Sequence, residues 1–188
     1  MKRIVVGVSG ASGVIYAFRI LDALSGQVES HLIISNASRT TVALETDFDI
    51  KELENKATYV HETANLAAPL SSGSFLTDGM VIIPCSIKSL SAIANSYNEN
   101  LLIRAADVTL KERRKLVLVV RETPLHTGHL KLMVKVSEIG AIILPPVPAF
   151  YHKPRTIDDV INQTIGKILD LFGITHNLFK RWEGPIGL

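Results

Sequence analysis

The residues that decide the fold lie near the start of the chain: Ile4-Val5-Val6-Gly7-Val8-Ser9-Gly10-Ala11-Ser12-Gly13. The first five are apolar or small and mostly β-branched, which is typical of a strand buried on both faces. The small residues that follow would let a phosphate approach backbone amides where a helix begins, and the helix dipole favours negative charge there. Their spacing, G-x-x-G-x-x-G, is neither the dinucleotide fingerprint nor a Walker loop, so it favours a mononucleotide.

Working outward, the rest of the chain alternates apolar runs with helical patterns. Further strands are predicted at residues 31–35, 80–83, 116–120 and 141–144, and helices at residues 14–24, 86–95, 100–112, 127–138 and 157–172. Thr156 and Asp159 form a variant capping box before the last helix, and Gly173 stands where that helix should end. These repeated units predict a single α/β domain over residues 1–188, with a C-terminal tail from about residue 173. Its sheet should be doubly wound and mostly parallel, of Rossmann or flavodoxin type, in a three-layer α/β/α arrangement.

Composition excludes several classes of protein. The chain has 188 residues, of which 47% are hydrophobic and 20% charged, as expected for one globular domain with a real core. A net charge of +2 is too small to favour a nucleic acid or an anionic membrane as a partner. There is no signal-type segment after Met1 and no run of roughly 20 apolar residues, so we expect a cytoplasmic protein.

Polar residues follow every predicted strand, at residues 10–12, 35–38, 84–89, 121–124 and 145–151. Ligands of doubly wound sheets bind at the carboxyl ends of the strands. Any one of these segments could be an ordinary loop, but five together favour a ligand site.

Two other features have simple structural interpretations. Cys85, the single cysteine, excludes an intrachain disulfide and is interpreted as a small packed residue rather than a nucleophile. His126 and His129 have a spacing that can ligate a metal on a helix, but no third ligand lies at a convincing spacing. We therefore expect no metal site.

Several motifs, taken in order, resemble the UbiX-type flavin prenyltransferases. They are residues 10–13, Ser35 followed by Glu45-Thr46-Asp47, residues 84–89, and residues 107–114 continuing to 121–125. The resemblance runs from the first strand to Trp182. It implies an enzyme that binds reduced FMN and transfers a dimethylallyl group from dimethylallyl phosphate to N5 and C6 of the flavin. It also implies a homo-oligomer, a dodecamer with sites at subunit junctions, and a UbiD-type decarboxylase that receives the prenylated FMN.

The same resemblance implies the site residues. FMN should contact Gly10, Ala11, Ser12, Ser35, Ser86, Ile87, Lys88, Ser89 and Arg121. Dimethylallyl phosphate should contact Arg104, Lys111, Arg121, Glu122, Tyr151 and Lys167. The family often has Arg where Lys167 stands, and Lys keeps the charge but loses the bidentate fork.

The residue types fit this chemistry. Departure of a phosphate develops negative charge, which several cations would stabilise, and Glu122 could share a proton with the leaving group. Closing the new ring requires removal of a proton from flavin C6, for which Glu45 is the expected base and Ser12 a relay. Tyr151 or Trp182 could shield the allylic cation from water.

Two alternatives stay open. One is an FMN-dependent decarboxylase of aromatic acids or cysteine-type substrates, although the loop continuing Ile87-Lys88-Ser89 differs from the Ala-Asn-Thr of cysteine decarboxylases. The other is a non-catalytic subunit that stores or delivers flavin. The basic cluster suits a phosphorylated substrate better than a thiol, and retention of Glu45, Ser12 and Glu122 favours catalysis over the delivery subunit.

Overall fold

The computed structural model describes residues 1–184, and within this range its centre is a six-stranded sheet in which all neighbouring strands are parallel. The strands are β1 (Lys2–Val8), β2 (Val28–Ile34), β3 (Tyr59–His61), β4 (Gly79–Cys85), β5 (Lys115–Val120) and β6 (Ile142–Ile143). Nearly every residue of β1, β4 and β5 is buried, because both faces of the sheet are covered. The predicted parallel sheet is confirmed.

The order of the strands fixes where a ligand can bind. It is β3-β2-β1-β4-β5-β6, the Rossmann order; without the three-residue edge strand β3 the remaining strands have the flavodoxin order. The order reverses between β1 and β4. Ligands bind beyond the carboxyl ends of the strands at such a reversal. The fold therefore puts the glycine-rich loop after β1 beside the end of β4.

Helices connect the strands. In the described part of the chain they are α1 (Ile15–Leu24), α2 (Asn36–Glu45), α3 (Ile50–Asn55), α4 (Ile87–Ala94), α5 (Leu101–Lys111), α6 (Thr127–Glu138) and α7 (Ile157–Phe172), with a 3₁₀ turn at Pro69–Ser71. The five predicted helices are confirmed, two of them at the predicted bounds. The strand β3 and the helices α2 and α3 were not predicted. None of the described helices is long and apolar enough to cross a membrane.

Successive side chains of the strands alternate between two buried layers, one on each face of the sheet. Val5, Met80 and Leu118 belong to a buried cluster shared with α4, α5 and α6. Their neighbours in the chain, such as Val6 and Val81, are equally buried but lie outside that cluster. Because successive side chains of a strand point to opposite faces, these neighbours face the other layer, where α1 contacts the strands and α3. The predicted three-layer arrangement is confirmed.

The chain divides into two compact units, with the boundary between Pro145 and Pro146. In the second unit, Thr156 and Asp159 form the predicted capping box, and Gly173 ends α7 in the left-handed conformation. Arg181 and His176 both bond the carboxylate of Asp170, which ties the tail to the helix. The expectation of one domain over residues 1–188 stays a prediction, and its tail ends outside the described residues.

Candidate active site

A cavity of about 850 Å³ opens at the carboxyl edge of the sheet. Its walls are the segments that follow β1 to β5. The lining residues are Gly10, Ile34, Ser35, Asn36, Ala37, Arg39, Glu62, Thr63, Ala64, Ser86, Ile87, Lys88, Ser89, Glu99, Asn100 and Glu122. The position of this cavity is the one that the strand order predicts for a ligand.

Three helices begin at the wall of this cavity, and each begins at a polar cap that also lines it. Ser35 accepts a hydrogen bond from the amide of Ser38 at the start of α2, at 3.2 Å. Ser86 accepts from the amide of Ser89 in α4, also at 3.2 Å, and Asn100 accepts from the amide of Ile103 in α5 at 3.1 Å. Unpaired backbone amides and the helix dipole make each of these ends favourable for an anion. Three such ends around one cavity suit a phosphorylated ligand.

Gly10 allows the loop after β1 to lie against the first turn of α2. A Cβ atom at this position would lie 2.4 Å from the Cβ of Ala37 and 3.3 Å from its carbonyl carbon. Both residues line the cavity. Glycine is therefore needed at position 10 for close packing, and it keeps this part of the wall free of side chains.

Glu45, the last residue of α2, folds back onto the same loop. One of its carboxylate oxygens accepts hydrogen bonds from the amides of Gly13, at 2.8 Å, and Val14, at 3.4 Å. Burial raises the pKa of Glu45, but hydrogen bonds from the Ser12 side chain and these two amides lower it. The charge of Arg121 acts in the same direction, and the net pKa lies below its usual value. Glu45 is therefore an ionised acceptor, joined to Ser12 as the relay hypothesis requires.

The predicted FMN residues follow the ends of four neighbouring strands, β2, β1, β4 and β5. Gly10, Ser35 and the four residues from Ser86 to Ser89 line the cavity, whereas Ala11, Ser12 and Arg121 stand outside its wall. The amide of Arg121 donates to the carbonyl of Cys85 at 3.1 Å, which places it beside the end of β4.

The residues predicted to bind dimethylallyl phosphate are not all brought together in one chain. Glu122 lines the cavity. Arg104, in the first turn of α5, does not line the cavity: it pairs with Asp107 at 3.1 Å and donates to the carbonyl of Ser71. Lys111 ends α5 and pairs with Glu112, whereas the cavity adjoins the opposite end of that helix.

Tyr151 and Lys167 belong to the second unit. There the Tyr151 hydroxyl accepts a hydrogen bond from Gln163 at 3.5 Å, and its ring packs edge-on against Trp182. Lys167 is an exposed residue of α7. The roles of both residues toward dimethylallyl phosphate stay predictions.

Cys85 and the two histidines have structural surroundings. Cys85 is fully buried, and burial raises the pKa of its thiol to about 12, which confirms the interpretation as a packed residue. His126 caps α6 by accepting a hydrogen bond from Gly128 at 3.0 Å. Its ring lies 3.6 Å from that of His129, centroid to centroid.

Sequence reasoning missed part of the cavity wall. Glu62, Thr63 and Ala64 follow the unpredicted strand β3, and Arg39 lies in the unpredicted helix α2. Lys88, at the rim, pairs with another missed residue, Glu99, at 3.3 Å. Only Asn100 carried a usable signal, because an asparagine directly before an apolar helical pattern is a typical cap.

Comparison with known proteins agrees with this geometry. A model of the flavoprotein family matches residues 1–171. The flavin prenyltransferase UbiX of Escherichia coli (strain K12) is 58% identical over 188 residues, which cover 98% of this chain and 100% of that protein.

Two solved structures have nearly the same backbone. A crystal structure of AnUbiX (PadA1) in complex with FMN and dimethylallyl pyrophosphate has a TM-score of 0.96 and 47% identity, covering 98% of this chain and 99% of the other. A dodecameric FMN-dependent Ubix-like decarboxylase from Escherichia coli O157:H7 has a TM-score of 0.94 and 45% identity, covering 97% and 100%.

Proposed function

This chain belongs to the flavoprotein family and, within it, to the UbiX-type flavin prenyltransferases, and we propose that it prenylates FMN. In the proposed reaction a dimethylallyl group moves from dimethylallyl phosphate to N5 and C6 of reduced FMN. Two bonds form, one from N5 to the carbon that carried the phosphate and one from C6 to the tertiary carbon of the prenyl group. The carbon–oxygen bond to the phosphate breaks and inorganic phosphate leaves, while the flavin loses one proton from N5 and one from C6. The carbon–carbon double bond of the prenyl group opens in the second step, and its other carbon takes up one proton.

The observation that carries the proposal is the cavity bounded by the starts of α2, α4 and α5. Its volume of about 850 Å³ is at the upper end of the range for small-molecule sites, so there is room for a flavin and a second small ligand. The side-chain hydroxyls of Ser35, Ser86 and Ser89 line the cavity and are groups that can form hydrogen bonds with a phosphorylated flavin. When bound, reduced FMN supplies the nucleophilic nitrogen and carbon.

We assign the proton from C6 to Glu45, with Ser12 between them. Glu45 is held by Ser12 and the amides of Gly13 and Val14, and its lowered pKa keeps it ionised at neutral pH. Hydrogen bonds that stabilise the carboxylate weaken it as a base, but they also fix its direction. A base acting at close range through a positioned hydroxyl gains from that orientation.

The cations of the phosphate site extend the proposal to the assembled protein. Arg121 lies near Glu45, and Glu122 lines the cavity. Arg104 and Lys111 do not line it in a single chain, and we propose that a homo-oligomer completes the site at a subunit junction. The relative from Escherichia coli O157:H7 is a dodecamer, which supports a dodecamer here as well.

The destination of the product is a further part of the proposal. Prenylated FMN would be passed to a UbiD-type decarboxylase in the cytoplasm. The substrate could carry one phosphate or two, since the solved relative holds the pyrophosphate. Parallel reactions with dimethylallyl phosphate and dimethylallyl pyrophosphate distinguish the two donors.

Release of inorganic phosphate tests the proposal. The protein is incubated without oxygen with reduced FMN and dimethylallyl phosphate, and phosphate is measured against flavin. We expect one phosphate for each flavin, and none when FMN stays oxidised or is omitted. Loss of carbon dioxide from an aromatic acid or a cysteine-type substrate, without phosphate release, would support the decarboxylase instead. Tight FMN binding with neither product would support a delivery subunit.

A further inference from the structure

A single buried hydroxyl joins the two halves of the cavity. Ser9 follows β1, is 1% exposed and does not line the cavity. Its Oγ donates to the carbonyl of Pro84 at 2.9 Å and accepts from the amide of Ser86 at 2.7 Å. Its own amide also donates to the Pro84 carbonyl, at 3.2 Å. These bonds cross from β1 to β4, at the point where the strand order reverses.

The groups on each side of this bridge belong to the cavity wall. Gly10, the next residue, packs against α2, and Ser86 is the cap of α4. The pairing between β4 and β5 shifts register between Ile82 and Cys85, so the sheet does not hold the end of β4 by regular pairing. The amide of Ser86 is a donor that needs a partner, and Ser9 is the partner it has.

We propose that Ser9 is a positioning residue for the flavin site, which it serves by fixing the loop at Gly10 relative to the start of α4. The inference rests on the proposed function, because FMN is the ligand that contacts both sides. Removing the hydroxyl takes away the acceptor of the Ser86 amide. The Pro84 carbonyl loses one of its two hydrogen bonds from Ser9 and keeps the one from the Ser9 amide. Ser86 and its neighbours then move toward another acceptor or toward water. As a result, FMN can no longer contact the loop at Gly10 and the start of α4 at the same time with its original geometry.

The test compares two buried hydroxyls. Ser9→Ala removes the bridge. Thr109→Val is the matched control, because Thr109 is 2% exposed and its hydroxyl donates only within α5, to the carbonyl of Ala105 at 2.7 Å. For each full-length variant we would measure FMN affinity by quenching of flavin fluorescence, the circular dichroism of bound flavin, and the melting temperature. Ser9→Cys, whose thiol is larger than the hydroxyl and forms only weak hydrogen bonds, serves if Ser9→Ala does not fold.

We expect Ser9→Ala to weaken FMN binding about tenfold or more, as for an unpaired buried donor, and to alter the dichroism of bound flavin. Thr109→Val should keep the affinity and the spectrum whatever its melting temperature, and Ser9→Cys should lie between Ser9→Ala and the wild type. Unchanged affinity and spectrum in Ser9→Ala would refute the positioning role. Equal losses in Ser9→Ala and Thr109→Val would refute it too, since they would reflect stability alone. If the wild type binds no FMN, the proposed function itself fails.

Discussion

Replacing Gly10 by alanine should damage the flavin site through one steric overlap. The new Cβ would lie 2.4 Å from the Cβ of Ala37. Carbon atoms pack best at about 3.5–4.0 Å, so the two segments must separate by roughly 1.1–1.6 Å. Overpacking of this kind typically costs about 1–3 kcal/mol. The separation occurs in the cavity wall, and we therefore expect FMN binding to weaken by about 5- to 150-fold.

A second substitution should relieve the first. Ala37→Gly removes the clashing methyl group and leaves contacts of 3.3 and 3.4 Å to the backbone of residue 37, which are tight but tolerable. The double variant Gly10→Ala with Ala37→Gly should bind FMN within about threefold of Ala37→Gly alone, which is a coupling between the two sites. Gly26→Ala is the control: nothing lies within 4 Å, although its positive φ of 73° should lower stability.

Fluorescence titration with FMN, together with thermal melting of the four variants, decides the matter. Gly10→Ala with normal FMN affinity would show that the loop and α2 can separate without consequence. A double variant as weak as Gly10→Ala would refute the overlap as the cause. Equal FMN losses in Gly26→Ala and Gly10→Ala would point to backbone stability instead of the cavity wall.

Three further outcomes are expected. Glu45→Gln should still bind FMN but close the new ring about 10²–10⁴-fold more slowly, with the prenyl unit held at N5 alone; normal closure kinetics would remove Glu45 from the mechanism. Lys167→Ala should weaken dimethylallyl phosphate by about 10- to 150-fold and leave FMN unchanged, and an equal loss of both ligands would contradict the assignment. Burial lowers the pKa of His31 and of His61, whose ring nitrogens Nδ1 and Nε2 lie 2.9 Å apart. The unfolded chain therefore takes up protons at these histidines more readily than the folded chain does. The free energy of unfolding should therefore fall as the pH decreases through about 6.5, and denaturant titrations that show no such fall would contradict this.

The elements predicted from the sequence are those whose buried residues form a regular local pattern. The strands β1, β4 and β5 are continuous apolar runs because both faces are covered, and α7 carries a full apolar stripe with caps at both ends. Such patterns are local, so a single sequence contains them.

The missed elements lack that pattern. In α2 only Ser38 and Val42 are buried, so no apolar stripe marks the helix. Strand β3 has three residues, Tyr59 and Val60 among them are exposed, and it lies at the edge of the sheet. Short, half-exposed segments are fixed by tertiary contacts, which periodicity does not report.

Site residues were predicted where they follow a predicted strand and were missed elsewhere. Residues directly after the recognised strands, such as Gly10, Ser35 and Ser86, lie in the cavity wall. Thr63 was missed together with β3. Ser9 bonds Pro84 and Ser86, which follow it by 75 and 77 positions in the sequence. Only the folded chain brings these groups within hydrogen-bonding distance.

The mass of the flavin tests the central claim most directly. The protein is incubated without oxygen with reduced FMN and dimethylallyl phosphate, and the flavin is then released and weighed by mass spectrometry. The account predicts that the flavin gains the mass of one five-carbon prenyl unit, in a reaction that requires both the protein and the phosphate donor. A flavin of unchanged mass, recovered from protein that binds FMN, would contradict it.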